Sequence, residues 1–131
     1  MKRLLITGSR NGCDERKLRE ELIRAYYELV GWDTQSDDIV ILVHGGAPGV
    51  DSQAEQIWKS WRLPVEIHPA DWSIGKKAGP IRNQEMVDSG ADLCLGFPSA
   101  DSTGTFDCLR RAEAAAIPVK TFLPETTEEQ R

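Results

Sequence analysis

Five short apolar runs separated by four stretches of helical periodicity limit the folds open to this chain. The runs are "RLLIT" (3–7), "IVILV" (39–43), "VEIH" (65–68), "DLCLGF" (92–97) and "IPVKTF" (117–122). "IVILV" is continuous and rich in β-branched residues, the pattern of a strand covered on both faces. Leu18, Leu22, Ile23, Tyr26 and Val30 recur at helical spacing between Asp14 and Gly31, so a capped helix is expected over 15–30. Val50, Ala54, Ile57, Trp58 and Trp61 form a second stripe. Pro80 suits the first turn of a helix over about 80–89. Thr105, Cys108, Leu109, Ala112 and Ala116 form the last stripe. Such alternation predicts an α/β fold, a Rossmann-like doubly wound parallel sheet of about five strands with helices on both faces and right-handed crossovers. The expected strand order is 3-2-1-4-5. The 131 residues are read as one domain over 1–123 and a polar tail over 124–131.

In a sheet of this order the chain reverses direction between strands 1 and 4, and ligands bind outside the carboxyl ends of the strands at that point. Here "GSRNG" follows strand 1, "GGAPGVD" follows strand 2 and "FPSADSTGT" follows strand 4. Glycines this dense either make a tight strand-to-helix turn or bring backbone N–H groups against an anion. Three such loops on one rim favour the anion. Helix N-termini follow two of them and supply free N–H donors, so a phosphate is the natural guest. The residues expected to bind it are Gly8, Ser9 and Arg10; Gly45, Gly46, Ala47, Gly49, Val50 and Asp51; Arg82 and Asn83; and Ser102, Thr103, Gly104 and Thr105. The dinucleotide fingerprint G-x-G-x-x-G is absent from "GSRNG", and strand 2 ends in His44 where an acid would meet a ribose. "SIGKKAG" also fails as a phosphate loop of the G-x-x-x-x-G-K-[ST] type, because Ala70 and Lys77 occupy its first glycine and hydroxyl positions.

Net charge is −5, which argues against a generic polyanion binder. Cys13, Cys94 and Cys108 are widely spaced and suggest neither a disulfide framework nor a zinc site. The basic start "MKRLLITGSR" has too short an apolar stretch for a signal peptide, and no run approaches the roughly 20 residues needed to cross a bilayer. A cytoplasmic protein is expected, with reduced thiols, no metal, no cofactor beyond the nucleotide and no membrane or nucleic-acid partner.

"ITGSR", "HGGAPGVD", "PADWSIGKKAGPIRNQEM" and "STGT", in this order, resemble the SLOG superfamily of Rossmann-like nucleotide-binding domains, and most closely its small stand-alone YspA-like branch. The resemblance spans residues 3 to about 120. The superfamily includes LOG phosphoribohydrolases, which cut the N-glycosidic bond of nucleoside monophosphates, DprA single-strand DNA binders, and domains proposed to sense nucleotides or NAD-derived signals. The resemblance implies that Arg82 in "RNQEM" reaches the ligand, and that Gly104 and Thr105 stand for the "GT" of the LOG motif P-G-G-x-G-T-x-x-E. That motif's glutamate falls at Cys108, and its paired glycines fall around Ser99 and Ala100. Asp107 is one position away and would point about 100° aside on a helix.

Several residues admit two roles. Asp51 either caps the second helix or orients a ribose or base, and "SQAE" (52–55) also reads as a capping box. Arg10 clamps a phosphate or lies in solvent. Arg82 is expected in a first helical turn, where a cation opposes the dipole and an anionic ligand would compensate. Lys76 and Lys77 are expected in solvent, Trp72 over a sheet edge rather than on a base, and Cys108 in the core. The leading function is binding or sensing of a nucleoside phosphate or ADP-ribose-like nucleotide. The alternative is a LOG-like phosphoribohydrolase with Arg82 on phosphate and Asp51 or Asp107 as the carboxylate, and single-strand DNA binding ranks third. LOG proteins pair through helices, and the Trp58–Trp61 stripe points to a homodimer.

Overall fold

The protein is described by a computed structural model over residues 1–32 and 37–124. The tail over 124–131 therefore lies, apart from Pro124, outside the described residues. Strands β1 (Lys2–Gly8), β2 (Val40–His44), β3 (Val65–Ile67), β4 (Leu93–Phe97) and β5 (Val119–Thr121) form one sheet of order β3-β2-β1-β4-β5. Every neighbouring pair is parallel. Helices α1 (Glu15–Val30), α2 (Val50–Ser60), α3 (Ala78–Asp88) and α4 (Thr103–Ala114) make the connections, with a 3-10 turn at Trp72–Ile74 ahead of α3.

The pleat sorts the core into two layers, because alternate residues of a strand face opposite sides of the sheet. Leu4 and Ile6 of β1 join Val40 and Leu42 of β2 and Leu93, Leu95 and Phe97 of β4 beneath α1 and α2. Leu5, Val43 and Cys94 meet Met86, Cys108 and Leu109 beneath α3 and α4. With right-handed crossovers the steps β1→β2→β3 put their helices on one face, and β3→β4→β5 put theirs on the other. The connection from β3 to β4 must return across β2 and β1, so it carries α3 over the sheet's centre.

Asp14 caps α1 as its sequence predicts, its side chain accepting from Arg16 N–H. Three local expectations change. The third helix begins at Ala78, two residues early, so Pro80 is its third residue, still among the positions whose N–H has no intrahelical acceptor. Ala116 falls beyond α4 in a left-handed conformation, φ 63°. Trp58 and Trp61 belong to the core of the single chain: Trp58 is fully buried and donates Nε1–H to Val40 O at 3.2 Å, while Trp61 packs beside it. The tryptophan stripe thus carries no argument for a dimer.

Candidate functional site

A cavity of about 790 Å³ opens at the carboxyl ends of the strands, between the β1, β2 and β4 loops and the β3–α3 connection. That volume suits a small-molecule ligand. Most of the residues expected to bind line it: Gly8, Ser9 and Arg10 after β1, Gly45, Ala47 and Asp51 around the start of α2, Arg82 and Asn83 of α3, and Ser102 through Thr105 at the start of α4. Asp107 lines it as well.

Gly46, Gly49 and Val50 do not. Gly49 is the N-cap of α2 with φ 83°, and a Cβ there would sit 2.2 Å from Ser9 O. It is glycine because the β1 loop packs against its backbone, whose neighbour Val50 donates N–H to that same Ser9 O at 3.0 Å. Val50 is fully buried in the core. Gly46, with φ 72°, turns its open side toward Ile67.

Asp51 is the second residue of α2, and it does not cap the helix. Its Oδ2 reaches back to accept N–H of Gly45 at 3.1 Å and of Ala47 at 3.2 Å, which staples the glycine loop. The "SQAE" capping box does not form either: Ser52 Oγ donates to Ala47 O, and Glu55 meets His44 and Lys59. Asp51 is 5% exposed, lines the cavity, and its Oδ1 is buried with no hydrogen-bond partner. Burial pushes its carboxyl up from the ordinary range, despite the Ala47 and Gly45 N–H groups and nearby Arg82.

His44, at the end of β2, supports this loop from below. Its Nδ1 accepts Gly46 N–H at 2.9 Å, so the ring proton sits on Nε2 and is donated to Glu55 Oε1 at 2.7 Å. With Nδ1 occupied as an acceptor, its 4.0 Å approach to Asp51 Oδ2 is not an ion pair. His68 is held by Glu66 at 2.6 Å. Neither histidine faces a metal-ligand cluster among the described residues.

Arg82 sits in the second turn of α3, half-buried, and not in an exposed first turn. Its Nη1 donates to Gly45 O at 2.6 Å and more weakly to His68 O at 3.4 Å, and its Nε donates to Asn83 Oδ1 at 3.0 Å. A Cβ on Gly45 would lie 2.2 Å from Nη1, so the glycine admits the guanidinium. Asn83 is buried, and its Nδ2 donates to Gly104 O at 3.2 Å and Asp107 Oδ2 at 3.0 Å, tying α3 to the start of α4.

Asp107 points at this junction and not away from it. Burial raises its pKa, but hydrogen bonds from Arg111 and Asn83 outweigh that and hold the carboxyl below its ordinary range. Arg110 donates to its other oxygen at 2.6 Å. Cys108 is fully buried, its thiol pushed up to about 11 by burial. Cys108 is core, as its place on the apolar stripe predicts.

The start of α4 has no side-chain cap: Ser102 Oγ serves Ser99 instead. Among the described residues no acceptor meets N–H of Gly104 or Thr105, and none meets N–H of Gly79 at the start of α3. Four cationic side chains, Arg10, Lys76, Arg82 and Arg110, line the cavity against the carboxylates Asp51, Asp101 and Asp107. Four cations against three carboxylates leave the lining with an excess of positive side chains within an acidic chain. Sequence reasoning missed Arg110, Ser99 and Asp101. The first sits one turn after Asp107, and the other two in the "FPSADSTGT" loop, so helical spacing and loop membership were the available signals.

Over 132 aligned residues the chain is 44% identical to the Gene 61 protein of Mycobacterium phage D29, spanning 93% of this chain and 97% of that protein. The chain belongs to the Gene 61 protein family. No protein-family model and no solved structure matches it. The alignment takes in nearly the whole domain.

Proposed function

We propose that the crevice binds a nucleoside phosphate or an ADP-ribose-like nucleotide, as a SLOG-type binding or sensing domain. One observation carries this reading. Among the described residues, two helix starts bring N–H groups without an acceptor, those of Gly79, Gly104 and Thr105, to one cavity that Asp51 also lines, its Oδ1 buried and without a partner. The N–H groups suit an anion, reinforced by the helix dipoles and by Lys76 and Arg82. Asp51, once its Oδ1 turns from its buried place toward the cavity, suits a hydroxyl, as a ribose supplies. A sugar phosphate carries both. A cytoplasmic location belongs to this reading; no helix among the described residues is long and apolar enough to cross a membrane. A homodimer rests on the likeness to LOG proteins alone.

A second reading, N-glycosidic cleavage of a nucleoside monophosphate, is favoured by Asp51 and Asp107, whose surroundings push them in opposite directions on one cavity. It ranks below binding because both Asp107 oxygens are engaged by cations and Cys108 supplies no carboxylate.

The test is a panel of mono-, di- and trinucleotides, NAD, ADP-ribose and ribose 5-phosphate, read by melting temperature and calorimetry, with chromatography for released base. At least one should stabilise the fold by mass action, about 2.7 kcal/mol at a hundred times Kd. A panel with no melting shift and no heat of binding overturns the nucleotide reading, and efficient base release places the enzyme first.

A further inference from the structure

Trp72 does not cover the sheet edge. It is 52% exposed on the cavity wall, the largest apolar side chain there. Its 3-10 turn is fixed by Asp71, whose side chain accepts from Ser73 N–H. One edge of the indole rests against α3: a Cβ on Gly79 would lie 3.3 Å from Trp72 Cη2, so glycine leaves that seat open. Over the ring, 5.3 Å from its centroid, lies the Arg10 guanidinium, reached from the β1 loop on the other side of the crevice. Among the described residues Arg10 makes this contact and no ion pair, in a chain of net charge −5.

We propose that Trp72 is the platform on which the base of the bound nucleotide stacks, with Arg10 closing over the base's other face. A planar ring between two stacked partners needs about 7 Å from one to the other, twice a van der Waals separation. Arg10 has a long side chain held by no carboxylate among the described residues, so lifting it from 5.3 Å breaks no ion pair there. A purine, whose two rings match the indole in area, gains more than a pyrimidine. This inference rests on the nucleotide reading and assigns the base end of the same cavity, with the start of α4 left for the phosphate.

Calorimetry of AMP, UMP and ribose 5-phosphate tests it on the wild type, Trp72→Ala and Trp72→Phe. AMP should bind the wild type at least about tenfold more tightly than ribose 5-phosphate, with UMP between them. Trp72→Ala should bring AMP close to ribose 5-phosphate while changing ribose 5-phosphate itself less than about twofold. Trp72→Phe should keep an intermediate AMP affinity and lose the nucleotide-induced change in tryptophan fluorescence, since Trp32, Trp58 and Trp61 lie off the cavity. Equal binding of AMP and ribose 5-phosphate to the wild type overturns the stacking assignment and leaves the nucleotide reading standing. An equal loss of both in Trp72→Ala makes the indole a structural wall and also overturns it. No binding of any of the three to the wild type overturns the stacking assignment, and the nucleotide reading is then decided by the di- and trinucleotide, NAD and ADP-ribose arms of the panel.

Discussion

Arg82→Ala breaks a bond that crosses the crevice. In the folded chain the Arg82 guanidinium donates at 2.6 Å to the buried carbonyl of Gly45, and the glycine's missing side chain is what admits it. A hydrogen bond from a charged donor contributes about 1.5–3 kcal/mol, and water can reach the freed carbonyl through the cavity, so a loss of about 2 kcal/mol is expected. For a domain of this size each kcal/mol moves Tm by roughly 3–5 °C, giving a fall of about 6–10 °C. An exposed cation opposing a helix dipole would cost almost nothing, so the magnitude separates the two pictures. Gly45→Ala attacks the same bond from the other side, since its Cβ would stand 2.2 Å from Nη1. The two changes should therefore fail to add. Gly45→Ala costs about 2 kcal/mol in the wild type and little once Arg82 is alanine, a coupling readable from urea denaturation of the four proteins. Additive losses, or a Tm for Arg82→Ala within about 2 °C of wild type, would refute the crevice-spanning bond.

Two further perturbations follow from the carboxylates. Asp51 titrates above its usual range in the fold, so the folded chain holds its proton more tightly than the unfolded one and stability is lost as pH rises past the ordinary carboxylate range. Asp51→Asn, which keeps an oxygen for Gly45 and Ala47 N–H, should thus be no less stable than wild type at pH 7 while losing nucleotide affinity; marked destabilisation in thermal melts would contradict this. Glu66 has the opposite sign: bidentate hydrogen bonds from Arg3 and one from His68 lower its pKa to about 2, so its contribution is present above about pH 4.5 and fades as pH falls toward 2. Glu66→Gln should melt lower than wild type at pH 7, with the two curves converging by about pH 2; a constant gap across that window would refute the assignment.

The layers of this fold were readable because each depends on a local pattern. "IVILV" has no polar alternation and becomes the doubly covered β2, and Asp14 and Gly31 bracket α1 as the sequence implies. The convergence of three loops was readable too, because strand order alone brings them to one rim. The sequence could not show how buried polar groups were spent. An acid near a helix start looks the same whether it caps its own helix or staples a loop, and Asp51 does the second because Gly49 takes the N-cap position. Arg82 meets a partner 37 residues away, a distance no periodicity encodes. The turn that holds Trp72 is three residues long, too short to leave a repeating signal.

The β3–α3–β4 connection explains why scaffold and site coexist so closely. Residues 68–92 form the outer wall of the cavity, and Arg3 of β1 fastens the segment at both ends. Its Nη1 and Nη2 grip Glu66 of β3 at 2.9 and 2.6 Å, just before the segment leaves the sheet. Its Nε reaches Gly90 O at 2.7 Å and its backbone N–H reaches Asp92 Oδ2 at 2.8 Å, just before the segment re-enters as β4. Arg82 adds a third tie near the middle, to the β2 loop. Between these anchors the wall presents Trp72, Lys76 and Gly79 to the cavity. Changes at Arg3 or Glu66 should therefore act on stability first and on affinity only through it, whereas changes at Trp72 act on affinity in a fold that remains intact.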